Sequence, residues 1–155
     1  IREGDPMEIF TNRDGEVILK KYSPIGEMDA FAKQYAESLA AVSGCYVVIS
    51  DRDQVIAVSG GVKKEYIGRR ISHELEEIME QRRTVNTDTD NVKTITIIDG
   101  QDVSDMGQII FPIICEGDVI GSVVLMSKTE KQQVSDTEKK LVSVAADFLG
   151  RQMES

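Results

Sequence analysis

The chain has no tryptophan, one histidine, two cysteines and three prolines, and aromatic residues fill only 5% of its 155 positions. Two cysteines, Cys45 and Cys115, are too few for a disulfide framework and are expected as buried thiols in a reducing cytoplasm. The lone His73 stands beside Glu74, Glu76 and Glu77. With two distant cysteines it makes no catalytic triad, so it is read as a solvated surface residue. No CxxC, HxxxH or paired His–carboxylate spacing occurs, which excludes the familiar zinc patterns. Asp88, Asp90 and Asn91 sit in a D-x-D-N string without the glycine and distal glutamate of a calcium loop. Gly60-Gly61 is not followed by a phosphate-binding glycine pattern. No apolar run approaches the ~20 residues needed to span a bilayer. The opening Ile1-Arg2-Glu3-Gly4 has no secretory signal pattern and no initiator Met, so a preceding segment is expected. No catalytic residue, metal or cofactor is expected.

What is present describes a soluble globular protein, 41% hydrophobic and 29% charged, with room for one domain and a small appendage. The formal net charge is −9. Such a surface repels phosphate backbones and should not bind nucleic acid by itself.

Residues 1–22 read as two short strands. Met7 to Thr11 alternates, Asn12 to Gly15 turns, and Glu16 to Lys20 returns. An isolated hairpin is marginal in water, so this piece needs partners. Ser23-Pro24 then starts a helix whose apolar stripe is Ile25, Met28, Phe31, Ala32, Tyr35, Leu39 and Val42, with Gly44 at its end. Cys45 to Ser50 and Val55 to Val58 read as strands around an Asp51-Arg52-Asp53 turn. Between Lys63 and Arg83, the residues Ile67, Ile71, Leu75, Ile78 and Met79 predict short helices. Residues 84–92 read as a mobile surface loop. Thr94 to Ile98, Gln108 to Cys115 and Asp118 to Met126 are three further predicted strands, the last two joined at Glu116-Gly117. Ser135 and Glu138 form a capping box before a final helix with Leu141, Ala145, Phe148, Leu149 and Met153 on one face. Long helices at both ends of an antiparallel sheet predict an α+β sandwich.

Two passages carry a family resemblance. Ile1 to Phe10, then Asp14 to Tyr22, resemble the C-terminal half of an AbrB-type swapped-hairpin DNA-binding domain. Phe111-Pro112-Ile113-Ile114 through Ile120-Gly121-Ser122-Val123-Val124 resembles the late hairpin of GAF domains. With the closing Phe148 to Glu154, the whole chain is similar to the stage V sporulation protein T family of regulators. The resemblance implies residues 1–22 as part of a DNA-binding domain and residues 23–155 as a GAF-like sensory and oligomerisation domain. It also implies a cytoplasmic forespore location, DNA contact through an absent N-terminal half, and a homo-oligomer: a dimer through the GAF helices, or a tetramer in full length. A small-molecule effector of unknown identity is the further partner, with no membrane contact.

Ser59, Tyr66, Ile78, Met79 and Phe111 are candidates for lining a ligand cavity on the GAF-like sheet. Arg69-Arg70 and Arg82-Arg83 are read as solvated pairs. Ala36, Ala40, Val142 and Ala146, with Ala41 and Val144, lie off the main helix stripes and are candidates for a dimeric helical bundle. Two non-enzymatic functions stay open, a ligand sensor and a pure oligomerisation scaffold. A GAF-type methionine sulfoxide reductase is the remaining alternative, disfavoured because Cys45 and Cys115 do not reproduce its cysteine set.

Overall fold

Side-chain alternation in the strands decides the layers. Val47 and Ile49 point to one face of the sheet with Ile109, Ile113, Val123 and Leu125; Val48 points to the other with Ile110, Val124 and Met126. Both sets are buried, so helices and loops must cover both faces. The computed structural model describes residues 7–11, 17–21, 24–90, 92–101, 106–129 and 134–154, with side chains from residue 29 onward.

A separate two-stranded ladder joins β1 (Met7–Thr11) to β2 (Val17–Lys21), antiparallel from Met7 opposite Lys21 to Thr11 opposite Val17. The turn expected at Asn12 to Gly15 falls outside the described residues. Two residues later α1 (Pro24–Ser43) begins. Gly44, at φ +70°, ends it by returning its N–H to the Ala40 carbonyl at 2.8 Å, a left-handed stop that suits glycine.

The main sheet contains β3 (Tyr46–Asp51), β4 (Val55–Ser59), β5 (Val85–Asn86), β6 (Gln108–Cys115) and β7 (Asp118–Met126). Its spatial order is β4-β3-β7-β6-β5, antiparallel throughout. A two-residue loop, Glu116 and Gly117, both at positive φ, joins β6 to β7. On one face lie α1 and α4 (Asp136–Gln152), in contact with each other. The other face is covered by a 3-10 turn at Lys64–Tyr66, by α2 (His73–Glu80), by the one-turn α3 (Thr87–Asp90), and by the extended residues 92–98. This is the predicted α+β sandwich.

Two expectations change. The segment Thr94–Ile98 alternates like a strand but, among the described residues, joins no ladder and makes one bridge, from Ile98 to Ile71. Two side chains and one backbone N–H take the place of a neighbouring strand. The fully buried Gln108 amide accepts from the Ile95 N–H at 3.0 Å and donates to the Ile95 carbonyl at 3.0 Å. Ser72 donates its hydroxyl to the Thr96 carbonyl and its N–H to the Ile97 carbonyl at 2.7 Å. Conversely, residues 84–92, expected as a loop, contribute β5 and α3. Val85 and Asn86 are buried because they pair with Ile110 and Ile109 at the edge of the sheet. Within the predicted helical stretch Ile71, Leu75, Ile78 and Met79 are core residues, whereas Ile67 is exposed.

The two sheet edges differ in length. β5 has two residues, and β4 is engaged at Val55, whose N–H donates to Arg69 and whose carbonyl accepts from Gly68.

The capping box of α4 is present: Ser135 donates its N–H to the Glu138 carboxylate at 3.0 Å and its hydroxyl to the same group. The Ser135 hydroxyl bond, above all, holds the Glu138 carboxyl below its ordinary range. Ser135→Ala should therefore cost about 1 kcal/mol near neutrality. A carboxyl depressed in the folded state stabilises above its unfolded range and loses that contribution as pH falls through the folded value. The gap between the melting curves of wild type and variant should thus shrink on acidification; an equal gap at acid and neutral pH would refute this role for Glu138.

Candidate functional site

Helix α1 and the edge strand β4 do not meet flush. A groove of about 640 Å³ lies between them, lined by Asp29, Lys33 and Glu37 from α1, by Ile56 to Gly61, and by Val62, Lys64 and Ile67. A second, polar groove of about 430 Å³ lies at the end of the sheet near α2, walled by Arg52, Glu80, Arg82 and Asp118 over Met79 and Val119. A smaller hollow of about 240 Å³ is bounded by Tyr46, Val62, Lys63, Tyr66 and Met126.

The five predicted cavity residues do not converge. Ser59 lines the α1–β4 groove, Tyr66 the small hollow, and Met79 the floor of the polar groove. Ile78 is packed in the core beneath α2. Phe111 packs on the opposite face of the sheet, among the residues under α1 and α4. Period two explains the last case: Ile109, Phe111 and Ile113 share a face, and Ile110 takes the α2 side.

The helix residues expected to face a partner are inside. Ala36, Ala40, Val142 and Ala146 are all buried in the core formed by α1, α4 and the sheet. The extra apolar stripe is consumed because the two helices pack on each other as well as on the sheet. A different set of apolar side chains reaches solvent: Phe31 is 43% exposed, Val144 65% and Phe148 39%. Tyr35 bridges them, its ring 5.0 Å from that of Phe148, with Leu141 half-buried alongside. Burial pushes the Tyr35 hydroxyl above its ordinary range. On the helices, Phe31 and Tyr35 are four apart, as are Val144 and Phe148, so these side chains form one strip across the outer surface. Sequence periodicity contained the strip but could not say which of two apolar faces was outermost.

The remaining polar candidates have local roles. His73 is exposed and 3.1 Å from Glu77, one turn on. Arg69 stacks over Tyr66 at 5.4 Å, and Arg70 reaches Glu76 at 3.6 Å. Arg83 donates to the Gln81 side chain. Asp88 accepts from the Val134 N–H at 2.8 Å and Asp90 from the Asn86 N–H at 3.0 Å, so both carboxylates tie backbone segments together. Among the described residues, no cluster of three or more His, Cys, Asp or Glu side chains could hold a metal ion.

Cys45 and Cys115 are both buried. Cys45 adjoins the Tyr46 end of β3, which faces Met126, whereas Cys115 faces Asp118 at the far end of β7. Eight residue steps of strand separate those ends, on the order of 26 Å. The two thiols cannot pair within one chain. Burial, with Glu116 and other nearby carboxylates, also pushes the Cys115 thiol up and away from reactivity.

Sequence reasoning missed the charged wall of the α1–β4 groove. Asp29, Lys33 and Glu37 recur every fourth residue, a signal of one helix face that is normally read as solvated. Burial, then the neighbouring Asp51, raises the Asp29 carboxyl above its ordinary range. Among the described residues, no helix is long and apolar enough to cross a membrane.

Comparisons with known proteins agree with this architecture. A stage V sporulation protein T from Bacillus subtilis (strain 168) is 50% identical over 154 residues, covering 99% of this chain and 84% of the relative. The GAF domain of an Acinetobacter phosphoenolpyruvate-protein phosphotransferase superposes with a TM-score of 0.61 at 14% identity, over 86% of this chain and 84% of that one. The cofactor-binding GAF domain of the nutrient sensor CodY from Clostridium difficile does so at 0.54 and 13% identity, over 85% and 99%. These two establish a GAF-like fold. Residues 27–154 match the family described as stage V sporulation protein T C-terminal, transcription factor. The chain therefore belongs to the stage V sporulation protein T family of sporulation transcription regulators, with a GAF-like domain over most of its length.

Proposed function

We propose that residues 23–155 form the signal-sensing and dimerisation module of this regulator, and that residues 1–22 belong to an AbrB-type DNA-binding domain. The observation that carries the reading is the exposed strip of Phe31, Tyr35, Leu141, Val144 and Phe148 on α1 and α4. An apolar strip on paired helices fits a second copy of the same surface, giving a symmetric helical bundle. The interface thus uses Phe31, Val144 and Phe148 rather than the buried Ala36, Ala40, Val142 and Ala146.

Because α1 begins two residues after β2, a change in how two copies pack would reach the hairpin with little slack. Such a change needs an effector that prefers one arrangement. The CodY domain, described as cofactor-binding and part of a nutrient sensor, supports a sensory role on this fold. DNA contact belongs to a basic half that completes the AbrB-type domain. Residues 1–22 hold five acidic residues against four basic ones and supply no strong positive patch. The setting is the cytoplasm, and regulation rather than catalysis is the output.

Sedimentation velocity tests the dimer. The chain should sediment as a dimer at micromolar concentration. Val144→Asp, placed on a largely exposed side chain, should raise the dissociation constant about tenfold or more with the fold intact. A monomer at micromolar concentration would remove the dimer reading. A second reading, an oligomerisation scaffold without ligand, is favoured by the solid packing of Leu75, Ile78, Met79, Ile97 and Ile98 between α2 and the sheet.

A further inference from the structure

The α1–β4 groove has features that neither dimerisation nor DNA contact uses. Its volume, about 640 Å³, lies in the range of small-molecule sites. Its lining along β4 is mostly apolar: Ile56 and Ala57 pack with the α1 side of the sheet, Val58 with the opposite side, so the groove follows the edge of the strand, and Ile67 lines it as well. Ile67 is 47% exposed, a large aliphatic side chain left open beside other apolar atoms. The rim carries both signs of charge: Asp29 and Glu37 against Lys33 and Lys64. None of these four makes an ion pair with another described residue; the neighbouring pair uses Lys63 and Glu65 instead.

Unpaired charges of both signs around a mostly apolar lining define the complementary ligand. A simple carboxylate would meet the lysines but bring its charge close to Asp29 and Glu37. A simple amine would suffer the reverse. A molecule with an ammonium group, a carboxylate and a branched aliphatic body satisfies both rims and covers that lining. The geometry points to a binding site for an apolar α-amino acid, or a close zwitterionic analogue, between α1 and β4. This assignment rests on the sensory reading above and gives it a ligand class. The site touches the output directly: Lys33 and Glu37 lie on the same helix as Phe31 and Tyr35, which belong to the apolar strip.

The test is an amide chemical-shift titration of the 155-residue chain with three probes sharing one branched body: L-leucine, 4-methylpentanoate and 3-methylbutylamine. Leucine should shift the amides of Lys33, Ser59, Gly60 and Gly61 saturably and bind at least about tenfold more tightly than either single-charge probe. Lys33→Gln should weaken leucine and 4-methylpentanoate but spare the amine. Glu37→Gln should weaken leucine and the amine but spare the carboxylate. Both substitutions are on exposed side chains, so folding is retained. Equal affinity for all three probes, or no saturable shift from any, would overturn the assignment. Saturable leucine shifts confined to the Arg52–Arg82 groove would overturn this site while leaving a sensory domain; the dimer test above fails or succeeds independently.

Discussion

Adding one methyl group at Gly150 should destabilise the chain by roughly 2–3 kcal/mol, lowering Tm by roughly 5–10 °C. Two effects oppose each other at this position. Alanine is the better helix former and should stabilise α4 by roughly 0.5–1 kcal/mol. A Cβ on Gly150, however, would stand 2.1 Å from the Ile114 carbonyl oxygen and 3.1 Å from its carbon. Those atoms belong to the backbone of β6 and cannot rotate away. Helix α4 would have to lift from the sheet, loosening the contacts of the fully buried Leu149 and Val142. The steric term is larger, so the sign is destabilising. Asp147→Ala, on the exposed face of the same helix, supplies the control; losing its pair with Arg151 should change stability by a few tenths of a kcal/mol. If Gly150→Ala melts at or above the wild-type temperature, α4 does not sit against β6 as described.

Gln108→Leu should lower stability by roughly 2–4 kcal/mol, because it strands two partly buried backbone groups of Ile95 that find no other partner among the described residues. Leucine keeps the volume but neither accepts nor donates. The loss should be local first: hydrogen exchange at Ile95 and its neighbours should accelerate more than at β3 or β7. Gln108→Glu gives a sharper version. A protonated carboxyl can accept from the Ile95 N–H and donate to its carbonyl, as the amide does, whereas a buried carboxylate can only accept. That variant should be closer to wild type at acid pH than at neutral pH, with wild-type melting at each pH as the reference. A uniform loss of protection over the whole sheet in Gln108→Leu would show that the amide supports the global fold and not residues 94–98 in particular.

Gln108 also shows where sequence legibility ended. The two long helices, the late hairpin at Glu116-Gly117 and the strands around Val47 and Val123 follow from periodicity and turn residues, and all are in the structure. The segment Thr94–Ile98 has the same alternation, yet its partner is a side chain thirteen residues later, and period alone cannot distinguish a ladder from an amide. β5 failed for the opposite reason. Val85 and Asn86 are too few to show any period, and only the edge of β6 recruits them. Ser59, a candidate by its position for a cavity under the short helices, lines the α1–β4 groove instead, and Lys33 and Glu37 were not candidates at all. On a helix, charged residues every four positions look solvated until the opposite wall is known. The buried Ala36 and Val142 illustrate the same limit: two apolar faces on a helix imply two neighbours, and sequence does not say whether the second belongs to the same chain.

The way the two sheet edges are finished has a consequence for assembly. An open edge would let copies add strand to strand without limit, because each addition presents a fresh edge. Here one edge is two residues long and the other is engaged at Val55 by residues 68 and 69. Both features discourage growth by strand addition, and the exposed apolar strip of Phe31, Val144 and Phe148 lies on helices. If two copies pair through that strip about a two-fold axis, as proposed above, the contact closes after one pairing and leaves the strip covered. Raising the concentration should therefore drive this domain to a ceiling in particle mass and not to filaments.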